Sequence, residues 1–325
     1  MAFRILSLDG GGLLGAFTAS VLATFEKQCQ KTHGKALVDH FDLITGTSTG
    51  GLIAIALAMG TPAEQILDFY RNQGRYIFPR SGRVRGWVKT LRTLFRPKFS
   101  PKELRKAVIA VVGEKPLREA LTRLVIPVYQ ASPLGRPYLF KTPHDLQRAH
   151  HADVAAADVA LATSAAPTYF PAHSVKGFGV FIDGGVWANC PSRVGVVEAV
   201  AFCKQPLTEI EMLSISTTNY PFAIQKEAQL GGYLGWAPTI IETFMFSQIQ
   251  ASVNEAQCLL GKDRFHRIDF LTIPNTWIMD DPNGIDDLII AGQNAATLVD
   301  TVNTVMLQFL NGSTINRPMW IGGPE

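Results

Sequence analysis

The sequence predicts an α/β fold: a mostly parallel central sheet with helices on both faces, in three layers. Three observations predict it. Short apolar runs such as 3–8 and 41–45 alternate with longer segments whose apolar residues recur at helical spacing. Glycine clusters stand where the runs end, at 10–12, 46–50 and 184–185. Strands alternating with helices imply a largely parallel sheet covered on both sides.

In chain order, Phe3 to Leu8 reads as a buried strand entering a tight turn at Asp9-Gly-Gly-Gly12, and Leu13 to Gln30 as a helix. Phe41 to Thr45 is a second strand, followed by Gly46-Thr-Ser-Thr-Gly50 and an apolar helix to about Met59. Thr61-Pro62 opens another helix, with proline at its first position. Leu124 to Gln130 and Tyr138 to Phe140 are further strands, and alanine-rich Ala152 to Thr163 is helical. Phe178 to Ile182 is a strand ending at Asp183-Gly-Gly185; Pro191 opens a helix and Glu211 to Ser216 is a strand. Trp236 to Leu260 and Ile285 to Leu310 are helical in pattern. With no internal repeat and no low-complexity linker, residues 1–325 read as one domain. Its core spans about 3–220, with a helical C-terminal portion over 236–325.

The 325 residues are 47% hydrophobic, enough for a substantial core, while a net charge of +3 argues against a dedicated nucleic-acid binder. Four scattered cysteines with no CxxC pair suit a reducing compartment. No secretory signal is visible at the start. The apolar stretch Gly51–Met59 is well short of the ~20 residues that span a bilayer. A soluble, cytoplasmic protein with at most peripheral membrane contact is expected, its oligomeric state left open.

Ser48, flanked by Gly46 and Gly50 between a strand and an apolar helix, has the setting of a nucleophile elbow. There the serine sits on a sharp turn and the helix N-terminus favours negative charge beside it. The competing reading is an ordinary Gly/Ser turn. Ser48 needs a proton acceptor. None of the seven histidines (His33, His40, His144, His150, His151, His173, His266) stands in a strand-to-loop setting late in the chain. Asp183 does better, at the carboxyl end of a buried strand, where open α/β sheets hold ligands; alternatively it makes an Asx turn. Gly10, Gly11 and Gly12 can gather backbone N–H groups into a concavity for an oxyanion. Gly10, Gly12 and Gly15 also satisfy a dinucleotide fingerprint, but the second strand ends in Thr-Gly instead of the acidic residue that motif needs.

These motifs in this order (DGGG, GTSTGG, DGG), with Ala162-Thr-Ser-Ala-Ala-Pro-Thr-Tyr-Phe-Pro171 ahead of the last, resemble the patatin-like phospholipases over about residues 3–220. The resemblance implies a patatin-like fold and hydrolysis of lipid esters by a two-residue dyad. Ser48 would be the nucleophile, Asp183 the base, and Gly10, Gly11 and Gly12 the oxyanion donors, with no metal or cofactor. One departure is Leu14, where the family often has Arg or Lys. The N-terminal half is also similar to phospholipase effectors of bacterial antiphage systems, which implies a cyclic nucleotide activator. A catalytically silent module of the same fold is the alternative.

Between Arg71 and Lys102 stand ten Lys or Arg and no acidic residue, with Trp87, Phe95 and Phe99 interleaved. Arg83, Arg85 and Trp87 are candidates for contact with a phospholipid membrane surface or a phosphate-bearing activator; a solvated face is the bland alternative. Met279-Asp-Asp-Pro-Asn-Gly284 lacks the ligands of a calcium loop.

Overall fold

Strand β1 (Phe3–Leu8) is buried along nearly its whole length, and the other strands are arranged around it. It lies parallel between β2 (Leu43–Gly46) and β7 (Ile210–Ile215). The computed structural model describes residues 2–77, 98–144, 146–218, 223–224, 226–232, 236, 239–272, 279–315, 318 and 320. Among these the sheet has eight strands, in the order β5-β6-β3-β2-β1-β7-β8, with β4 paired to β3.

The core is parallel: β3 (Arg123–Ser132) joins β2, and β8 (Phe265–Ile268) joins β7, both in parallel register. The other three strands, β4 (Arg136–Lys141), β5 (His173–Val175) and β6 (Gly179–Asp183), pair antiparallel. Strand β8 also makes the C-terminal portion less purely helical than its sequence pattern indicates.

Alternate side chains divide the core into two halves, as the period-2 geometry of a strand dictates. Leu6, Leu8, Ile44, Ile126 and Leu213 face one layer of helices: α1 (Gly15–His33), α2 (Thr49–Ala58), α3 (Ala63–Ile77), α4 (Pro101–Val112), α5 (Ala156–Thr163) and α8 (Ile285–Thr297). Phe3, Ile5, Leu43, Val125 and Met212 face α6 (Ser192–Ala201) and α7 (Ile240–Leu260). All ten residues of α2 are buried, which explains why it is apolar all round. Each fully buried Leu or Ile contributes roughly 1.5–3 kcal/mol.

Helix α5 begins four residues later than the alanine run suggests. The carbonyls of Ala152 and Val154 instead accept N–H bonds from Arg118 and Leu117. The N-terminus of α3 is capped from a distance by buried Glu26, whose carboxylate accepts from the Ala63 N–H at 2.6 Å and the Leu37 N–H at 3.3 Å. The C-terminal helical stretch breaks at Leu298, whose backbone is extended (ψ 132°).

Candidate active site

Two strands on one edge of β3 bring the site together. Strand β4 covers one edge of β3 from Val125 to Gln130. Strand β2 pairs with Arg123 to Val125 and β6 with Val128 to Ser132, so both must occupy the opposite edge, end to end. β2 runs parallel to β3 and β6 antiparallel, so their carboxyl ends meet head-on near Pro127. Ser48 follows β2 by two residues and Asp183 ends β6. The sequence places Asp183 at the carboxyl end of a buried strand without fixing its direction; in the structure that strand runs antiparallel to β3.

Ser48 sits at φ 55°, ψ −122°, as the N-cap of α2. Holding a non-glycine residue there costs about 1–3 kcal/mol and persists only where surrounding contacts enforce it. The stretch from Thr163 to Ala165 supplies them. The Ser48 N–H donates to Thr163 Oγ1 (3.0 Å), which donates in turn to the Pro127 carbonyl (2.7 Å). Ser164 Oγ approaches the Ser48 carbonyl at 3.4 Å, and the Asp183 N–H donates to the Ala165 carbonyl at 3.0 Å. The Ala162–Pro171 motif therefore clamps both halves of the site. Gly46 and Gly50 are required by close approach: a Cβ on Gly46 would overlap the Gly50 carbonyl, and one on Gly50 the carbonyls of Leu8 and Asp9.

The Asp183 carboxylate accepts a hydrogen bond from the Gly185 N–H at 2.7 Å, and the Ser48 side chain stands close enough to favour its ionised form. Burial pushes its carboxyl up to about 6, against the opposing pull of those two groups. All seven histidines are engaged elsewhere. His33 and His40 meet the carbonyls of Leu310 and Ser313, and His144 meets Glu198. His150 stacks on Phe178, and His151 bonds the Tyr138 hydroxyl. His173 pairs with Asp158, and His266 with the Asp263 carbonyl.

The first glycine loop differs from expectation in one respect. The Gly10 N–H donates to the Asn189 carbonyl at 2.9 Å, so it is not a free donor. Gly10 matters by closeness instead, since a Cβ there would lie 3.3 Å from Ser48 Cβ. Its carbonyl accepts from Thr217 Oγ1 (2.9 Å) and Asn189 Nδ2 (3.3 Å). In a trans peptide the N–H points opposite the C=O, so these bonds aim the Gly11 N–H the other way. The Gly11 and Gly12 N–H groups have no partner among the described residues. Gly12 is held at φ +59°, and a Cβ there would strike the Met279 carbonyl at 2.6 Å.

A buried network supports this loop from below. Arg267, on β8, reaches Asp9 at 2.6 Å and Ser214 at 2.7 Å. Burial drives the Asp9 carboxyl upward and the Arg267 guanidinium opposes it. Leaving one member of such a pair alone typically costs about 3–5 kcal/mol. Asn189, Thr217 and Arg267 carry no motif in the sequence. Arg267 lies in the portion assigned to helix, and only a four-residue strand brings it under the loop. Leu14 is buried in the core rather than presented at the loop.

At the end of β2, where a dinucleotide site would hold its acidic residue, the chain turns through Gly46-Thr47-Ser48 into α2. In the basic stretch, Arg83, Arg85, Trp87 and Phe95 lie outside the described residues. Phe99 does not face an interface. It is buried against Tyr169 and Phe170, ring centroids 6.1 and 5.8 Å away. Arg71 and Arg75 pair with Asp68 and Asp286, and Lys98 with Asp280. No described helix is long and apolar enough to cross a membrane.

Strand, elbow, clamp and second carboxylate strand bring Ser48 and Asp183 together on a three-layer α/β fold. The patatin-like phospholipase model matches residues 6–194, and the chain belongs to that family of lipid acyl hydrolases. Three similar proteins each carry the name cGAMP-activated phospholipase. The one from Vibrio cholerae is 38% identical, the match covering 71% of this chain and 69% of the relative. That from Escherichia coli is 36% identical over 68% and 64%. That from Pseudomonas aeruginosa is 32% identical over 93% and 87%.

Gly11→Val is the sharpest test of the loop. A Cβ at Gly11 would overlap the Thr217 hydroxyl and lie 2.7 Å from Thr217 Cβ, so the 10–11 peptide has to move. Turnover of a soluble ester should fall roughly 10²–10³-fold, the usual cost of one oxyanion donor. A folded variant with normal kcat would remove Gly11 from the chemistry.

Proposed function

We propose that this chain cleaves ester bonds of membrane phospholipids through a Ser48–Asp183 dyad and that a cyclic nucleotide switches it on, as in antiviral effectors. The dyad reading rests on the buried Asp183 carboxylate standing beside the Ser48 side chain while every histidine is engaged elsewhere. Asp183 takes the Ser48 proton as Oγ attacks the ester carbonyl carbon. The Gly11 and Gly12 N–H groups hold the oxyanion. The tetrahedral adduct collapses, and the leaving lysophospholipid alkoxide takes the proton back from Asp183. Water then attacks the acyl-enzyme, giving its proton to Asp183, and Ser48 leaves reprotonated with release of the fatty acid. The nucleotide reading rests on the names of the three relatives.

Phosphatidylethanolamine and phosphatidylglycerol vesicles, incubated with and without cGAMP, test both parts by mass spectrometry of released fatty acid. Release should depend on Ser48 and rise at least tenfold with nucleotide. Equal release in both arms would overturn the switch while keeping the hydrolase; none in either, with soluble esters also untouched, would overturn the hydrolase. In the same assay Arg83→Glu with Arg85→Glu should slow hydrolysis of anionic vesicles and leave soluble esters unaffected, as expected of cations worth about 1 kcal/mol each at an anionic surface.

A further inference from the structure

The last turn of α1 and the turn after it carry Cys29, His33 and His40, which have no part in the site above. Cys29 and His33 are four residues apart on one face of the helix. His40 comes back to them from the 3-10 turn Leu37–His40, after Gly34 has ended α1 in a left-handed conformation (φ 69°). One ligand-type atom from each of the three lies within 4.8 Å of the other two. Cys29 and His40 are fully buried, and His33 is half-buried.

The two imidazoles are already oriented. His33 Nε2 meets the Leu310 carbonyl at 3.1 Å, and His40 Nδ1 meets the Ser313 carbonyl at 3.0 Å. A carbonyl can only accept, so each of those nitrogens carries the proton and the other nitrogen of each ring presents a lone pair. Those others, His33 Nδ1 and His40 Nε2, are buried without a hydrogen-bond partner. Buried polar atoms left unsatisfied are uncommon and ask for an explanation. A ring N–H fixed on a backbone carbonyl, with the lone pair free on the other side, is the usual outer support of a metal-bound histidine.

We propose that Cys29, His33 and His40 form a binding site for a zinc-class divalent ion. Thiolate and imidazole are the ligands such an ion prefers. Zn–S and Zn–N bonds of about 2.3 and 2.0–2.1 Å put tetrahedral ligands roughly 3.5 Å apart, so modest side-chain adjustment closes the cluster around an ion. The fourth position falls to water on the half-exposed His33 side. Cys29 would bind as the thiolate, giving up its proton to solvent as the ion enters. The site is structural: α1 begins at Gly15, and a rise of 1.5 Å per residue puts Cys29 and His33 roughly 20–27 Å along it from the glycine loop. Through the Leu310 and Ser313 carbonyls the ion would fasten the C-terminal segment against α1.

The test is titration of the chelator-treated full chain with Zn²⁺ against a chromophoric competitor, and with Co²⁺ as a spectroscopic stand-in. One equivalent should bind, the Co²⁺ form should show a thiolate charge-transfer band, and the melting temperature should rise with added Zn²⁺. Cys29→Ala should remove the band, and His33→Gln should weaken Zn²⁺ binding at least tenfold, both with soluble-ester turnover unchanged. Binding weaker than about 100 μM, a Co²⁺ spectrum without sulfur ligation, or unaltered affinity in both variants overturns the proposal. If a variant fails to fold, the wild-type Co²⁺ spectrum and stoichiometry still decide.

Discussion

Ser48→Ala should lower ester turnover by on the order of 10⁶, the scale of loss when a hydrolase nucleophile is removed. Fluorophosphonate labelling should vanish with it. The fold should survive, because the contacts that hold residue 48 are made through its backbone, to Thr163, Ser164 and Leu52. Ser48→Gly sharpens the point. Glycine takes φ 55° without a Cβ penalty, so this variant should be equally inactive yet melt higher than Ser48→Ala, by about 1 kcal/mol of stability. Labelling that persists at another serine would displace Ser48 from the mechanism.

Asp183→Asn is expected to cost roughly 10⁴-fold or more, since the amide keeps the shape and cannot take a proton and no histidine stands ready as substitute. In the unmodified protein only the ionised carboxylate is competent, so kcat/KM should climb with pH and level off above about 6. Stability should run the other way. With a folded-state value of about 6 above the ordinary 3.8, the stabilising contribution is present below pH 3.8 and lost as pH rises through 6. That interval is worth about 3 kcal/mol at pH 7. Asp183→Asn should therefore melt higher than wild type at pH 7, with the gap closing toward pH 4. A flat rate profile between pH 5 and 8, or an essential histidine, would sink the dyad.

The parts legible in the sequence are those that local physics dictates. β1, β2 and β6 are apolar runs stopped by glycine, and α2 is apolar throughout because it is buried on every side. Ser48 and Asp183 stand out as candidates for the same reason: each lies where such a run ends. The direction of β6 was not legible, because strand polarity is set by a partner far along the chain and leaves no local mark. β5 and β8 span only three and four residues, too short for a periodicity. Helix α4 carries signals in Ser100-Pro101 and an amphipathic stripe, although the basic stretch ends at Lys102 and no element is assigned between it and Leu124 from sequence. Asn189, Thr217 and Arg267 act through contacts spanning more than 100 residues, which no spacing within a motif reveals. The Cys29, His33 and His40 cluster escaped because its spacing is not that of a CxxC pair.

The shared edge of β3 makes that strand a ruler. The gap between Ser48 and Asp183 is set by the three-residue interval from Val125, beside Thr45, to Val128, beside Asp183, and not by the length of chain between them. Loops elsewhere, such as the Pro133–Gly135 hairpin tip, can therefore lengthen or shorten across relatives without disturbing the chemistry. One residue gained or lost inside that interval is different: it would offset the two carboxyl ends by about 3.3 Å and turn the rest of β3 inside out. Insertion and deletion are thus tolerable in loops away from the site and excluded over a span shorter than one turn of helix.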